Sequence, residues 1–207
     1  MAQESTAPPE EAQEPQEPQE RLDPETRARR EAALRYVRTY GDPVLRSRAR
    51  PVEAFDETLV EEVRRMGRLM DDALGIGLAA TQLGVMHRVL VYKVDPDAPL
   101  GVLVNPTIEW SGDELETLEE GCLSLPAVGV EVERPVYVRV RASDEHGVPL
   151  TVEAAGLEAR VIQHEIDHLD GVLILDRTSR DQRKQAMRAM REAMAPGAPP
   201  TDASSAI

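Results

Sequence analysis

The segment His164-Glu165-Ile166-Asp167-His168 holds the residues best suited to chemistry in this chain. On a helix, residues four apart share a face, so both imidazoles can reach one cation. Glu165, beside the first of them, is placed to handle the proton of a water at that cation. A catalytic site of this kind generally takes three protein ligands and keeps one position open. No His follows His168, and Asp170 and Asp176 lie close to the end of the helix. The third candidate is upstream: Cys122, in Glu120-Gly121-Cys122-Leu123-Ser124. Its thiolate suits a borderline-soft divalent ion. A lone Cys also packs readily as a small buried hydrophobe, and two His four apart can coincide on an exposed helix. The chemistry these residues point to is metal-assisted hydrolysis.

A third block, Gly75-Ile76-Gly77-Leu78-Ala79-Ala80-Thr81-Gln82, combines glycines that permit close backbone approach with an Ala pair that leaves room for an extended ligand. It is equally readable as a helix cap and tight turn. It lacks the Gly-Lys-Ser/Thr ending of a phosphate-binding loop.

These groups need elements to hold them. Leu59, Val63, Met66, Met70 and Ala73 recur at helical spacing, which predicts a helix from near Asp56 to Gly75. Arg88–Val94 and Gly101–Val104 read as strands, with Pro96 and Pro99 in the turn between them. Val136, Val138 and Val140 alternate with polar neighbours, and a turn over residues 144–147 leads into Leu150-Thr151-Val152. Residues 157–169 are again helical, ended by Gly171, and a last helix is expected from about Ser179 to Met194. Strands in the middle flanked by helices imply an α+β fold with an antiparallel sheet.

The charge is unevenly spread. Of the net −14 over 207 residues, −6 falls in residues 1–20, with six Glu, no Lys or Arg, four Pro and four Gln. So polar a segment cannot bury enough apolar surface to offset its ordering entropy. Residues 1–33 are expected to form a disordered acidic extension, 34–195 the catalytic unit, and 196–207 a second disordered tail. One Cys excludes an intrachain disulfide framework. No apolar run is long enough to span a membrane, and no secretory signal pattern is seen, so the expected compartment is cytoplasmic. The mean charge argues against DNA or an anionic membrane as partner.

Taken together and in this order, GIGLAATQ, EGCLS and QHEIDHLDG resemble the three signature motifs of the peptide deformylases, a likeness that runs from about Tyr40 to the last helix. The resemblance implies antiparallel sheets packed around a central HExxH helix, with an N-terminal and a C-terminal helix. It also implies the reaction, removal of the formyl group from N-terminal formyl-methionine of nascent proteins with release of formate. On that likeness Cys122, His164 and His168 hold one divalent metal ion, Fe2+ in the cell, with Zn2+, Ni2+ or Co2+ also accepted. The metal lowers the pKa of water enough to supply a nucleophile near neutral pH. Glu165 moves the proton, and the Leu123 backbone N–H and the Gln82 side chain stabilise the oxyanion.

The peptide is expected along Gly75–Leu78, with backbone groups of Ile76 and Gly77 pairing to it, Leu78 in the same segment, and Ile76, Leu123, Val161 and His164 around the methionine side chain. Glu120 is expected to orient a ligand or pair with Arg134, and Gln163 to support the site rather than act in it. One departure stands out. Many relatives carry an Arg a few residues past the Cys motif, where this chain reads Ala127-Val128-Gly129, which bears on peptide affinity and site rigidity.

The last helix reverses the acidic trend: Arg180, Arg183, Lys184, Arg188 and Arg191 face only Asp181 and Glu192, a net +3. Ala186, Met187, Met190 and Met194 give it an apolar stripe. It reads either as a solvated helix docked by its Met face or as a basic surface for ribosomal RNA at the tunnel exit. Two rivals to the deformylase reading are an ordinary HExxH peptidase and a catalytically silent, metal-stabilised module. Cys122 and the LAATQ loop speak against the first. The joint presence of Gln82, Cys122 and Glu165 speaks against the second.

Overall fold

The computed structural model describes residues 22–126 and 128–193. The elements in order are α1 (Pro24–Leu34), α2 (Glu57–Asp72), β1 (Gly77–Ala79), β2 (Val89–Tyr92), β3 (Gly101–Ser111), β4 (Leu115–Glu120), β5 (Val130–Pro135), β6 (Tyr137–Ser143), β7 (Pro149–Ala155), α3 (Gly156–Leu169), α4 (Ile174–Arg177) and α5 (Arg180–Ala193). Strands β1-β2-β3-β6-β7 form one antiparallel sheet, and β4 pairs with β5 in a separate hairpin. The α+β class expected from the sequence is the class observed.

Strand β2 shows why the large sheet is central. Its four residues Val-Leu-Val-Tyr are all buried. Val89 and Val91 face α2 with Leu59, Val63, Met66 and Met70. Leu90 and Tyr92 face the other way, toward Ala159, Ile162, Ile166 and Leu169 of α3. A strand covered on both faces loses the polar alternation of a half-exposed one, hence the continuous apolar run in RVLVYKV. Burying four such side chains contributes about 1.5–3 kcal/mol each. A third cluster holds the β4–β5 hairpin to the C-terminal helices through Val130, Val132, Leu173, Leu175, Ala186 and Met190.

Helix α2 begins as expected, with the Asp56 carboxylate accepting from the Thr58 and Leu59 amides at 3.0 and 3.2 Å. Helix α3 ends where Gly171 takes φ +74°, a position where a Cβ would also stand 2.8 Å from the Arg46 backbone. Strand β3 runs to Ser111, longer than the four residues expected, and bulges between Val104 and Thr107 as it crosses β6.

The N-terminal boundary is corrected. Residues 24–33, assigned to the disordered extension, lie in α1. Asp23 caps that helix through the Glu25 and Thr26 amides, both at 3.0 Å, and Pro24 occupies its first turn. Ala33 and Val37 then seat it in the α2 cluster. The apolar payload of α1 is small, which is why hydrophobic periodicity does not reveal it. The expectations for residues 1–21, for Met194 and for the tail 196–207 lie outside the described residues.

Candidate metal centre

The two His of the motif and the lone Cys arrive from different elements. Helix α3 carries His164 and His168 one turn apart. Cys122 sits two residues past the end of β4, in a turn where the Leu125 amide donates to the Cys122 carbonyl at 2.9 Å. All three are buried, and their ligand atoms lie within 4.8 Å of one another. Cys122 Sγ is 3.2 Å from His168 Nε2. The cluster is tied from both sides: Thr81 Oγ1 donates to the His168 carbonyl at 3.1 Å, and the Tyr40 amide donates to the Ser124 carbonyl at 2.9 Å.

The donor set fits a divalent cation. His164 Nδ1 faces Glu120 Oε2 at 3.0 Å, so that nitrogen donates and Nε2 carries the lone pair. His164 Nε2 is buried without a partner among the described residues, as are His168 Nδ1 and both Glu165 carboxylate oxygens. Buried orphans of this kind are costly unless something satisfies them. Burial also pushes the Cys122 thiol up to about 12, reinforced by Glu165, so its thiolate needs a neighbouring cation. Burial holds His168 well below its usual range, helped by His164 and Arg134, in the neutral form that ligates metals.

Glu165 is fully buried beside this cluster, and burial drives its carboxyl well above the usual carboxylate range, with the charge on Arg134 opposing. The Gly-rich block makes room for it. A Cβ at Gly77 would stand 2.5 Å from Glu165 Oε1 and 2.8 Å from Val161 Cγ1, so only glycine lets β1 pass this close to α3. Gly75 is similar, 3.0 Å from Leu123 Cδ1.

Gln82, in the turn after β1, is oriented by the end of that strand: its Oε1 accepts from the Ala79 amide at 2.8 Å. That leaves Nε2 directed at Cys122 Sγ, 3.8 Å away, and Ser124 Oγ, 3.3 Å away. Among the described residues β1 is an edge strand, paired only with β2. Its outer edge can therefore take an extended peptide. Ile76 packs on the α3 side of the sheet with Val161. Leu78 and Leu123 belong to the α2 cluster, so Leu78 offers a peptide its backbone rather than its side chain.

Beneath the His pair lies a buried charge network. Arg134 binds Glu120 through two hydrogen bonds, 2.6 and 2.9 Å, and Asp167 through a third, 2.9 Å. Burial works to raise Glu120, but the Arg134 and His164 hydrogen bonds outweigh it and hold the carboxyl at about 2. Glu120 therefore makes both contacts the sequence offered as alternatives. Gln163 donates to the Pro135 and Ala159 carbonyls, each at 3.0 Å, and so braces α3 against β5. Gly129 lies against Glu119, whose carboxylate occupies the space a Cβ would need.

Two network members escaped the sequence reading. Asp167 lies inside the motif and accepts from Arg177 at 2.5 Å as well as from Arg134. Arg160 lies one turn before His164. The available signal was spacing, since Arg160, His164 and His168 fall on one face at four-residue intervals. His87 and His146, which match no motif, stand on the surface.

An HExxH helix packed on an antiparallel sheet, with a buried Cys and two His converging beside a free carboxylate, defines a metal-binding hydrolase. The chain matches the family model for polypeptide deformylase over residues 34–184, and it belongs to that family. It is 47% identical over 161 residues to the peptide deformylase of Acidothermus cellulolyticus, covering 78% of this chain and 88% of that one. It is 48% identical over 160 residues to peptide deformylase 1 of Corynebacterium efficiens, covering 76% and 95%. Among solved structures, a peptide deformylase from Synechococcus elongatus in complex with actinonin superposes with a TM-score of 0.71 at 44% identity, covering 75% of this chain and 85% of that one. Peptide deformylase from Thermotoga maritima gives 0.67 at 45% identity, covering 69% and 96%.

Proposed function

We propose that this chain removes the formyl group from N-terminal formyl-methionine of nascent polypeptides by hydrolysis, with Cys122, His164 and His168 as metal ligands and Glu165 as general base and acid. One observation carries this reading: three buried ligand atoms within 4.8 Å of one another, beside a carboxylate with no partner among the described residues. A divalent cation held by Cys122, His164 and His168 supplies Lewis acidity, activating water near neutral pH and polarising the formyl carbonyl.

The peptide pairs with the outer edge of β1 through backbone groups of Ile76, Gly77 and Leu78, and its methionine side chain lies among Ile76, Leu123, Val161 and His164. A flexible thioether suits an apolar pocket of that kind. Water attacks the formyl carbon, and Glu165 takes the proton that the water releases. The carbonyl oxygen becomes an oxyanion, to which Gln82 Nε2 and the Leu123 N–H donate, each donor contributing about 3–4 kcal/mol. As the C–N bond breaks, Glu165 returns the proton to the amine nitrogen. Formate and a peptide with a free N-terminus leave. Glu120 orients His164, and Gln163 supports the helix.

Formate release from a formyl-methionyl peptide by metal-loaded protein, beside its Glu165→Ala variant, tests this reading. Wild type is expected to release formate and the variant to lose at least about a hundredfold in kcat, the range of general acid–base catalysis. Equal rates would overturn the mechanism. No formate from wild type would overturn the function.

The metal in the cell is taken to be Fe2+, by the family resemblance, and metal analysis of anaerobically isolated protein checks this; zinc alone would contradict it. The working compartment is taken to be the cytoplasm, where nascent chains emerge. Among the described residues no helix is long and apolar enough to cross a membrane. The ribosome is proposed as a partner of α5, which docks through Ala186 and Met190 and turns its charged residues outward. Reversing Arg183, Lys184 and Arg188 to Glu is expected to abolish ribosome co-sedimentation, and unchanged binding would sink the idea.

The catalytic unit is proposed to span residues 34–195. Helix α1, all but its last residue ahead of that range, packs onto it.

A further inference from the structure

Arg160 lies on α3 one turn before His164 and points away from the substrate edge of β1, toward the β4–β5 hairpin. Its side chain is 4% exposed. The guanidinium meets three oxygens there: Glu120 Oε1 at 2.8 Å, the Val132 carbonyl at 2.9 Å and the Glu116 carbonyl at 2.7 Å. It therefore grips both strands of the hairpin, at their backbone and at Glu120. Glu120 ends β4 and stands two residues before Cys122. The same helix face that carries His164 and His168 thus carries, one turn earlier, the residue that ties that face to the strand leading into Cys122.

We propose that Arg160 is a positioning residue that sets the spacing of Cys122 from His164 and His168, and with it the retention of the metal. Among the described residues the hairpin forms its own two-stranded sheet, separate from the five-stranded one. A two-stranded hairpin is marginal alone, so its position over α3 depends on such ties. Arg134 holds the Glu120 carboxylate from β5, within the hairpin, and reaches α3 through Asp167. Arg160 reaches the hairpin's backbone directly from α3. A Lys cannot copy it, because one ammonium on a flexible stem does not present a planar fork to three fixed oxygens.

The inference rests on the deformylase reading, so cobalt-loaded wild type is first shown to hold its metal and release formate. Arg160→Met and Arg160→Lys are then compared with Val140→Ala, a sheet-core variant that loosens the α3 packing without touching the hairpin. Transfer of Co2+ to a chelator is followed through the thiolate-to-cobalt absorption. Arg160→Met is expected to raise the transfer rate about 10–100-fold, the range for residues that orient metal ligands. Arg160→Lys should fall between it and wild type. Val140→Ala should stay within about twofold despite a lower melting temperature, and KM for the peptide should hold in all three.

Wild-type transfer rates in both Arg160 variants would overturn the proposal, as would equal acceleration in Val140→Ala at matched melting temperature. Should Arg160→Met not fold, the Arg160→Lys rate decides by the same criterion. A wild type that neither holds cobalt nor releases formate sinks the deformylase reading itself. Failure confined to the variants sinks only this inference.

Discussion

Glu120 Oε2 lies 3.0 Å from His164 Nδ1, and this single contact decides which imidazole nitrogen is left for a cation. With Nδ1–H donating to a carboxylate, the lone pair sits on Nε2, which is buried and unpartnered among the described residues. The carboxylate is itself fixed. Arg134 and Arg160 both donate to it, and the hydrogen bonds from Arg134 and His164 hold it ionised at about 2 against the desolvation that works to raise it. Ligand geometry at the metal centre is thus set by a charge network reaching into the β4–β5 hairpin.

Glu120→Gln keeps the shape of that network and removes its charge. Arg134 and Arg160 would then face a neutral amide while 5% and 4% exposed. An uncompensated buried charge costs about 3–5 kcal/mol, so the urea midpoint of the variant is expected to fall by that equivalent. Metal affinity, read by chelator competition, should fall about 10–100-fold. An unchanged midpoint would show that Asp167 alone suffices to hold Arg134.

Asp176 supplies an acid-side prediction away from the metal. Burial works to raise its carboxyl, but the Arg46 hydrogen bond, the Leu173 amide at 2.9 Å and the charges on Arg46 and Arg183 bring it below the usual 3.8. A carboxyl lowered on folding stabilises the fold above its unfolded pKa, and this is lost as pH falls through the folded one. Asp176→Asn is therefore expected to be less stable than wild type at pH 7 by about 1 kcal/mol, a modest figure because the site is partly exposed. The gap should stay constant down to about pH 5 and close below pH 4. A gap that widened toward acid would contradict the assignment, with guanidinium titrations at each pH as the measurement.

What the sequence disclosed follows from how each element buries itself. Helix α2 was legible because it lays one apolar stripe on the sheet, and the motif helix α3 because Val161, Ile162, Ile166 and Leu169 keep helical spacing although residues 159–169 are buried all round. Strand β2 was legible because both its faces are covered. The β4–β5 hairpin was not, for a physical reason: Leu-Glu-Thr-Leu-Glu-Glu exposes every residue but Glu120, and Val-Glu-Val-Glu-Arg-Pro turns Arg134 inward with its valines. Inward charges defeat hydrophobic periodicity, and these are the ones that orient His164. The three donors that converge, Cys122, His164 and His168, were readable from residue type and spacing. Arg160 shares the four-residue spacing of the His pair, but spacing alone does not tell a buried arginine from a solvated one, and Asp167 carries no local signal at all.

Gly77 gives the sharpest test of how closely the proposed peptide edge and the proposed proton carrier are built together. Its Cα faces Glu165, and a Cβ added there would meet Oε1 at 2.5 Å and Val161 Cγ1 at 2.8 Å. Neither neighbour yields easily: Glu165 is fully buried, and Val161 belongs to the core of α3. Overpacking of this kind costs about 1–3 kcal/mol, so Gly77→Ala is expected to fold with a lowered melting temperature. The greater effect falls on turnover. Relief of the overlap moves either the Glu165 carboxylate or strand β1, and a displacement of about 1 Å at a reacting group can cost on the order of a hundredfold in rate. If Glu165 moves, kcat falls while KM holds; if β1 moves, KM rises as well. Steady-state kinetics on a formyl-methionyl peptide separates the two, and an alanine variant with wild-type kcat and KM would show that this close approach has no part in catalysis.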